Sequence, residues 1–330
     1  MENTLYIFSD GKLKRKNNTL YFEGEDKKQY FPIKEITEIF LFGSVVINKK
    51  LVKLLSNYNI FLHIFDYYEN YVGSFYPKEF NNSGKVLLSQ IEYYQSKEKR
   101  FNLAVSIVNG AVNNILSNLR YYYNRGVDVE EEGIQINSIR KSIVDADNMN
   151  KLRAIEGRSR NIYYKTFDKI LKNEFFKFEK RSRRPPQNPL NALISFGNVI
   201  MYSKVLQIIH ETHLDPRIGY LHETNFRQFS LNLDIAEIFK PVLIDKLIFS
   251  IINKKQVGEE NFKDEKGGIY LTKPGLKIFM KEFEKKLSST ITLRENDRKI
   301  SYRNLIKEEI YKVEKHVLDK KKYKPYISRW

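Results

Sequence analysis

Two hydrophobic rhythms divide the chain. Up to about residue 80, apolar positions come in short runs with a period near two; beyond it they recur every three or four residues. Residues 4–9, 19–23 and 28–32 are rich in aromatic and β-branched side chains, and Asp10-Gly11 and Gly24-Glu25-Asp26 separate them as turn signals. Residues 38–42 and 60–65 are fuller apolar runs, the pattern of buried strands. Between them Leu51, Val52, Leu54 and Leu55 keep helical spacing, and residues 71–76 form a last strand before Pro77. Asp10-Gly11, between Phe8 and Leu13, is the strongest hairpin signal. The pattern predicts a small β-rich domain over 1–80.

Asn81-Asn82-Ser83-Gly84 is a polar break and the predicted linker. After it, Val86, Leu87, Ile91 and Tyr94 open a helical stripe, and Phe101, Ala104, Val108, Ala111, Ile115 and Leu119 carry a long one. Residues 125–133 read as an acidic connection, 134–171 as two helices, and the basic, proline-rich 178–189 as non-helical. Helices follow over 190–212, 233–253 (broken or kinked at Pro241), 273–287 and 303–318. The fold class is therefore α+β in two domains: the β-rich one, then a larger all-α domain over 85–330.

Composition narrows the function classes. The chain has 330 residues, 42% hydrophobic, no cysteine, and a net charge of +17. Disulfides, thiolate zinc sites and cysteine nucleophiles are excluded. The N-terminus lacks signal-peptide character, and no apolar run reaches the ~18 residues of a membrane span, so a cytoplasmic protein with no membrane partner is expected. The excess positive charge suits a polyanion such as nucleic acid. It is uneven: residues 151–184 hold twelve Lys and Arg against four Asp and Glu, and 299–330 hold ten against four. Tyr163, Tyr164, Phe175, Phe176, Tyr302, Tyr311, Tyr323 and Tyr326 are interleaved with these charges, where rings could stack bases or serve as core.

Carboxylates and a histidine stand out against that background. Glu156 falls on the more apolar face of its helix, with Leu152, Ser159 and Tyr163 one and two turns away. A carboxylate there needs a partner: a salt bridge to Arg153 or Arg160, or a metal. Gly157 beside it suggests close approach of a backbone or ligand. Asp234 and Glu237, three apart, share a helix face; taken alone they read as a capping-box-like helix start. His222 lies twelve and fifteen residues before them. Together, two carboxylates and an imidazole suit Mg²⁺ or Mn²⁺ in phosphoryl transfer better than zinc. No Walker-type loop, Gly-x-Ser-x-Gly or Rossmann fingerprint is present.

These segments, in this order, resemble one family. They include Ile39-Phe40-Leu41-Phe42-Gly43, Leu54-Leu55-Ser56-Asn57-Tyr58, Glu156-Gly157 with Arg160 and Tyr163, Arg183-Arg184-Pro185-Pro186, Asn188-Pro189-Leu190-Asn191-Ala192-Leu193, Leu214-Asp215-Pro216-Arg217-Ile218-Gly219-Tyr220-Leu221-His222 and Ser230-Leu231-Asn232-Leu233-Asp234. The family is the CRISPR-associated integrase/endonuclease of spacer acquisition, first in the Cas series. The resemblance implies a β-rich dimerisation domain, a helical catalytic domain, a homodimer, a small CRISPR-associated partner protein, and double-stranded DNA, branched or with single-stranded ends, as substrate. It implies Glu156, His222 and Glu237 as metal ligands, Asp234 as the neighbouring acid of the motif, and Tyr202 as an active-site tyrosine. The implied chemistry is 3′-hydroxyl attack on a phosphodiester at the edge of a CRISPR repeat, or hydrolysis when water attacks. Arg160, Arg181, Arg183 and Arg184 are expected to hold DNA phosphates, and the lysines at 320–322 and 324 to form a mobile tail. A non-catalytic basic DNA scaffold and a transposon-type integrase outside CRISPR are the competing readings.

Overall fold

A computed structural model describes residues 3–25, 28–77, 83–224, 229–293 and 297–328. The chain divides into two compact units, Met1–Phe80 and Asn81–Trp330.

The first unit holds two four-stranded sheets. One has the order β1 (Asn3–Ile7), β5 (Ile36–Leu41), β7 (Phe61–Phe65), β8 (Tyr71–Phe75); β1, β5 and β7 run parallel, and β8 returns antiparallel. The other has the order β4 (Lys28–Phe31), β3 (Thr19–Gly24), β2 (Gly11–Lys16), β6 (Val45–Val46). Alternate residues of β5 sort to opposite faces. Ile39 and Leu41 join Leu13, Leu20, Leu54 and Leu62 in one core with helix α1 (Lys49–Asn57), while Phe40 stacks with Phe42 and Phe65 on the other face.

The hairpin expected at Asp10-Gly11 is not there. β1 pairs in parallel with β5, and the tight turn lies at Asn17-Asn18, joining β2 to β3 with Lys16 opposite Thr19. Asn17 adopts φ 55°, a left-handed conformation that asparagine tolerates. β2, Gly-Lys-Leu-Lys-Arg-Lys, was hidden by its charge: it buries only Leu13 among these six residues. The Asp10 carboxylate instead accepts the Ser44 amide at 2.9 Å.

In the second unit α2 (Gly84–Gln95) begins within the expected linker: Ser83 is its N-cap, accepting the Val86 amide at 3.4 Å. Asn81 and Asn82 lie outside the described residues. α3 (Lys97–Tyr123) runs through the middle and packs against α2, α4 (Glu130–Lys141), α5 (Met149–Leu171) and α7 (Leu231–Phe239). α4 starts before the expected residue 134 because Glu130, Glu131 and Glu132 favour a helix N-terminus. α6 (Pro189–His210) is long and apolar enough to cross a membrane, but 78% of that stretch is buried inside the protein.

α7 continues through a π-helical stretch, Lys240–Asp245, into α8 (Lys246–Asn253). Pro241 causes the widening: it has no N–H to give the Glu237 carbonyl. Asparagines of α3 serve freed carbonyls, Asn114 donating to Ile238 O at 2.9 Å and Asn118 to Pro241 O at 2.6 Å. Helices α9 (Lys273–Ser288) and α10 (Tyr302–Val317) follow. Two short hairpins, β9 (Phe262–Glu265) with β10 (Gly268–Leu271) and β11 (Thr290–Leu293) with β12 (Arg298–Ser301), interrupt the otherwise helical unit.

The C-terminal segment is not a mobile tail. Glu309 of α10 accepts the Tyr323 hydroxyl at 2.6 Å and the Tyr326 amide at 2.9 Å; Asn114 accepts the Ser328 amide at 2.7 Å. Tyr326 stacks on Phe239 of α7, with centroids 5.9 Å apart and planes 7° apart. The lysines at 320–322 and 324 are exposed on an anchored strap.

Candidate active site

Three elements converge behind the candidate residues. α5 supplies Glu156 and Arg160, one turn apart, and α7 supplies Asp234 and Glu237 on a buried face. The loop ahead of α7 supplies His222.

Asp234 organises that loop. Its carboxylate, wholly buried, accepts the amides of Tyr220 at 2.6 Å, Leu221 at 3.0 Å and His222 at 3.0 Å. It also accepts His222 Nδ1–H at 2.8 Å. The capping-box reading of Asp234 therefore fails: it caps the incoming loop, not its own helix. With its lone pairs committed to four donors, Asp234 positions the imidazole. Nε2 remains as the ring nitrogen available to a ligand, and the ring is half-buried. Burial works against the charged imidazole, but Asp234 outweighs it and lifts the pKa above its usual value.

Arginines hold the loop from two helices. Arg153 of α5 donates twice to Leu221 O, at 3.1 and 3.0 Å, and pairs with Glu223 at 2.9 Å. Arg100 of α3 donates to Tyr220 O at 3.0 Å. Gly219 allows the close approach: a Cβ there would stand 2.8 Å from the Ser230 backbone.

Glu237 sits between two cations. Lys240 Nζ reaches Oε1 at 2.5 Å and Arg160 Nη2 reaches Oε2 at 2.7 Å. Burial raises its carboxyl, but the two cations win and hold it at about 2. Glu156 is pushed the other way, first by burial and then by the Glu237 charge; Arg160 at 3.7 Å offsets this only in part. Two carboxylates that repel each other beside an imidazole are a donor set suited to a divalent cation. Among the described residues, however, no group of three or more His, Asp or Glu is arranged, as the side chains stand, to hold one. Each oxygen of Glu237 is already paired with a cation.

The other expected residues stand in contrasting surroundings. Arg160, expected on phosphate, is buried and divided among Glu237, Glu156 and Asp245, the last also at 3.7 Å. Arg181 is part-buried and shapes its own loop, donating to Asn191 at 2.9 Å and Ser195 at 3.0 Å. Arg183 and Arg184 are exposed. Tyr202, half-buried on α6, lies under Lys240, whose Nζ is 4.6 Å from the ring centre. A Cβ on Gly157 would meet nothing described within 4 Å, so no backbone contact accounts for that glycine. Tyr163, Tyr164, Phe176, Tyr302 and Tyr323 are buried, and Phe175, Tyr311 and Tyr326 half-buried, so none is an open stacking platform.

Lys240 and Asp245 escaped the sequence reading. Lys240 carried a signal, its i+3 position from Glu237. Asp245 carried none, because the π-helical stretch sets which way it faces.

Comparison with known proteins places the whole chain in one family. The pattern of the family described as CRISPR associated protein Cas1 matches residues 5–285. A CRISPR-associated endonuclease Cas1 of Thermodesulfovibrio yellowstonii is 48% identical over the whole of both chains. A solved Cas1 protein from Thermotoga maritima superposes with a TM-score of 0.89 at 41% identity, covering 98% of this chain and 99% of its own. A casposase bound to integration product shares the fold, with a TM-score of 0.88 at 17% identity over 100% of this chain and 96% of its own. Full-length kinship with endonucleases sets the non-catalytic scaffold aside: the chain belongs to the Cas1 family of CRISPR-associated endonucleases.

Proposed function

We propose that this protein inserts short DNA fragments into a CRISPR repeat array, and cuts DNA when water replaces the attacking 3′-hydroxyl, through a site built on Glu156, His222 and Glu237. Those three side chains would hold Mg²⁺ or Mn²⁺. The cation, when bound, polarises a phosphodiester and offsets charge on its non-bridging oxygens. Asp234 fixes the His222 tautomer by taking Nδ1–H, which turns Nε2 toward the ligand. Arg153 and Arg100 hold the backbone of that loop in place. Tyr202, whose ring lies 4.6 Å from Lys240 Nζ, is assigned the role of an active-site tyrosine. Exposed Arg183 and Arg184 would take DNA phosphates, and the lysines on the C-terminal strap would add sequence-independent attraction. The 1–80 unit is assigned to dimerisation, and a small CRISPR-associated protein to the acquisition complex.

The observation that carries this reading is the meeting of Glu156, His222 and Glu237, from three separate stretches of chain, in one electrostatic neighbourhood within a strongly basic protein. The test is Mn²⁺-dependent strand transfer and cleavage on a branched DNA. The wild type is active, and His222→Ala and Glu156→Ala lose ~10³-fold or more, since ligand removal takes away the charge stabilisation of the transition state. Equal rates in wild type and variants would overturn the assignment.

A further inference from the structure

Arg160 is placed between two acids and is fully engaged with only one. Its Nη2 donates to Glu237 at 2.7 Å, whereas its Nη1 faces Asp245 Oδ2 at 3.7 Å. Arg160 Nη1 and Asp245 Oδ2 are both buried, and neither makes a hydrogen bond among the described residues. Two buried, complementary groups facing each other about 1 Å beyond bonding distance are costly in a fixed network. They suit a network with two settings.

Glu237 needs such a second setting if it is to bind a metal, because its oxygens are capped by Lys240 and Arg160. A divalent cation placed there would be repelled by both. Each cation has another seat close by. Lys240 has the face of the Tyr202 ring, 4.6 Å from its Nζ, and Arg160 has Asp245.

We propose that Arg160 is an exchangeable counter-ion, neutralising Glu237 together with Lys240 until a divalent cation takes that carboxylate, whereupon Asp245 receives the guanidinium. The inference rests on the metal-site reading above and adds a positioning role for Asp245, which does not touch the metal or DNA. Charge balance supports it. Glu156 and Glu237 are matched by Arg160 and Lys240, so two further positive charges call for a new anion. Burial pushes the Asp245 carboxyl up to about 7, against the opposing pull of Arg160 and Lys240; the Glu237 charge adds to the rise. Tyr163, whose hydroxyl accepts from Asn118 at 3.0 Å, also faces this carboxyl. Asp245 is thus an acid able to gain charge when the guanidinium comes to it.

The exchange predicts opposite signs for two variants. Mn²⁺ binding to the full-length protein, followed by calorimetry and by the electron paramagnetic resonance of free Mn²⁺, needs no DNA and no turnover. Asp245→Asn removes the receiving anion and weakens Mn²⁺ binding ~10-fold; Lys240→Met removes a competitor and tightens it ~3-fold or more. A rigid network can give these signs by charge alone, so the deciding comparison is Asp245→Asn in an Arg160→Gln background: exchange predicts that the ~10-fold loss vanishes there, and a loss that persists without Arg160 overturns the exchange. His222→Ala separates the two levels of argument: Mn²⁺ affinity unchanged in that variant sinks the metal site itself, whatever Asp245 does. Should Asp245→Asn fail to fold, Asp245→Glu keeps the acceptor and must bind Mn²⁺ within ~3-fold of wild type. Lys240→Met must still tighten binding, and failure of either overturns the proposal.

Discussion

Among the described residues, His63–Glu38 and His222–Asp234 each set an imidazole against a fully buried carboxylate, and they differ in what surrounds them. In the N-terminal unit, His63 on β7 faces Glu38 on β5 at 3.3 Å, and neither side chain is exposed. His63 Nδ1 meets Ser74 Oγ at 2.6 Å, Thr4 donates to Glu38 at 3.2 Å, and Ser74 is bonded in turn to Tyr71 at 2.7 Å. Both ring nitrogens point into the protein, and the pair is held by neighbours on the same sheet. In the helical unit, His222 gives one nitrogen to Asp234, and its ring is part-exposed. Beyond it lie Glu156, Glu237 and two cations whose charges pull against one another. Similar residue types make a polar network enclosed within one sheet in one place and a partly exposed cluster of opposed charges in the other. What separates them is unresolved charge and access, not the presence of an acid beside a histidine.

That contrast breaks most visibly under alanine substitution. His222→Ala lowers Mn²⁺-dependent strand transfer ~10³-fold with little change in stability, whereas His63→Ala leaves turnover per folded molecule within ~2-fold but costs ~3–5 kcal/mol, because it leaves a buried carboxylate without its partner. Rates corrected for folded fraction, with urea midpoints, separate the two; a catalytic loss in His63→Ala at full folding would erase the distinction. Next in size, the double variant Glu38→Leu/His63→Leu recovers at least ~2 kcal/mol of that loss, since a buried polar pair can be replaced by packed apolar groups. No comparable double replacement at Asp234 and His222 restores activity.

A smaller effect tests how the helical unit supports its site. Tyr326→Ala removes a half-buried ring stacked on Phe239, two residues beyond Glu237, and lowers stability by ~2 kcal/mol. A urea midpoint unchanged by that substitution would show the strap to be dispensable. The smallest effect concerns an unrelated, part-buried lysine. Burial and the nearby Lys286 lower Lys246 to about 6, so the folded chain binds fewer protons than the unfolded chain between pH 6 and ~10.5. Stability from this group therefore rises with pH over that window. Lys246→Met removes the dependence, raising the thermal midpoint at pH 7 by ~2–4 °C and narrowing that gain toward pH 10. A gain that does not shrink with pH argues against a depressed lysine.

Much of the fold was legible because period reports burial. The strands at 38–42 and 60–65, the long stripe of α3 and the break at Pro241 all follow from side-chain spacing and backbone chemistry. β2 was not legible, because a strand with one buried side chain in six carries almost no alternation. β9 to β12 are four residues each, too short for a periodic signal. The basic, lysine-rich C-terminus reads as tail, yet it is tied down by Glu309 and Asn114, residues that look like ordinary helix polars until the strap lies against them.

The sequence by itself determined a strand-rich start followed by a mostly helical remainder, the basic character, the absence of cysteine chemistry, and the candidates Glu156, His222, Asp234 and Glu237. Only the tertiary structure assigned their separate tasks: Asp234 to the loop amides and the imidazole, Glu237 to a contest between cations, Arg160 to the acids and not to solvent. The reason is that period and composition are local, while a carboxylate's charge state and its partners depend on groups brought to it from distant stretches of chain.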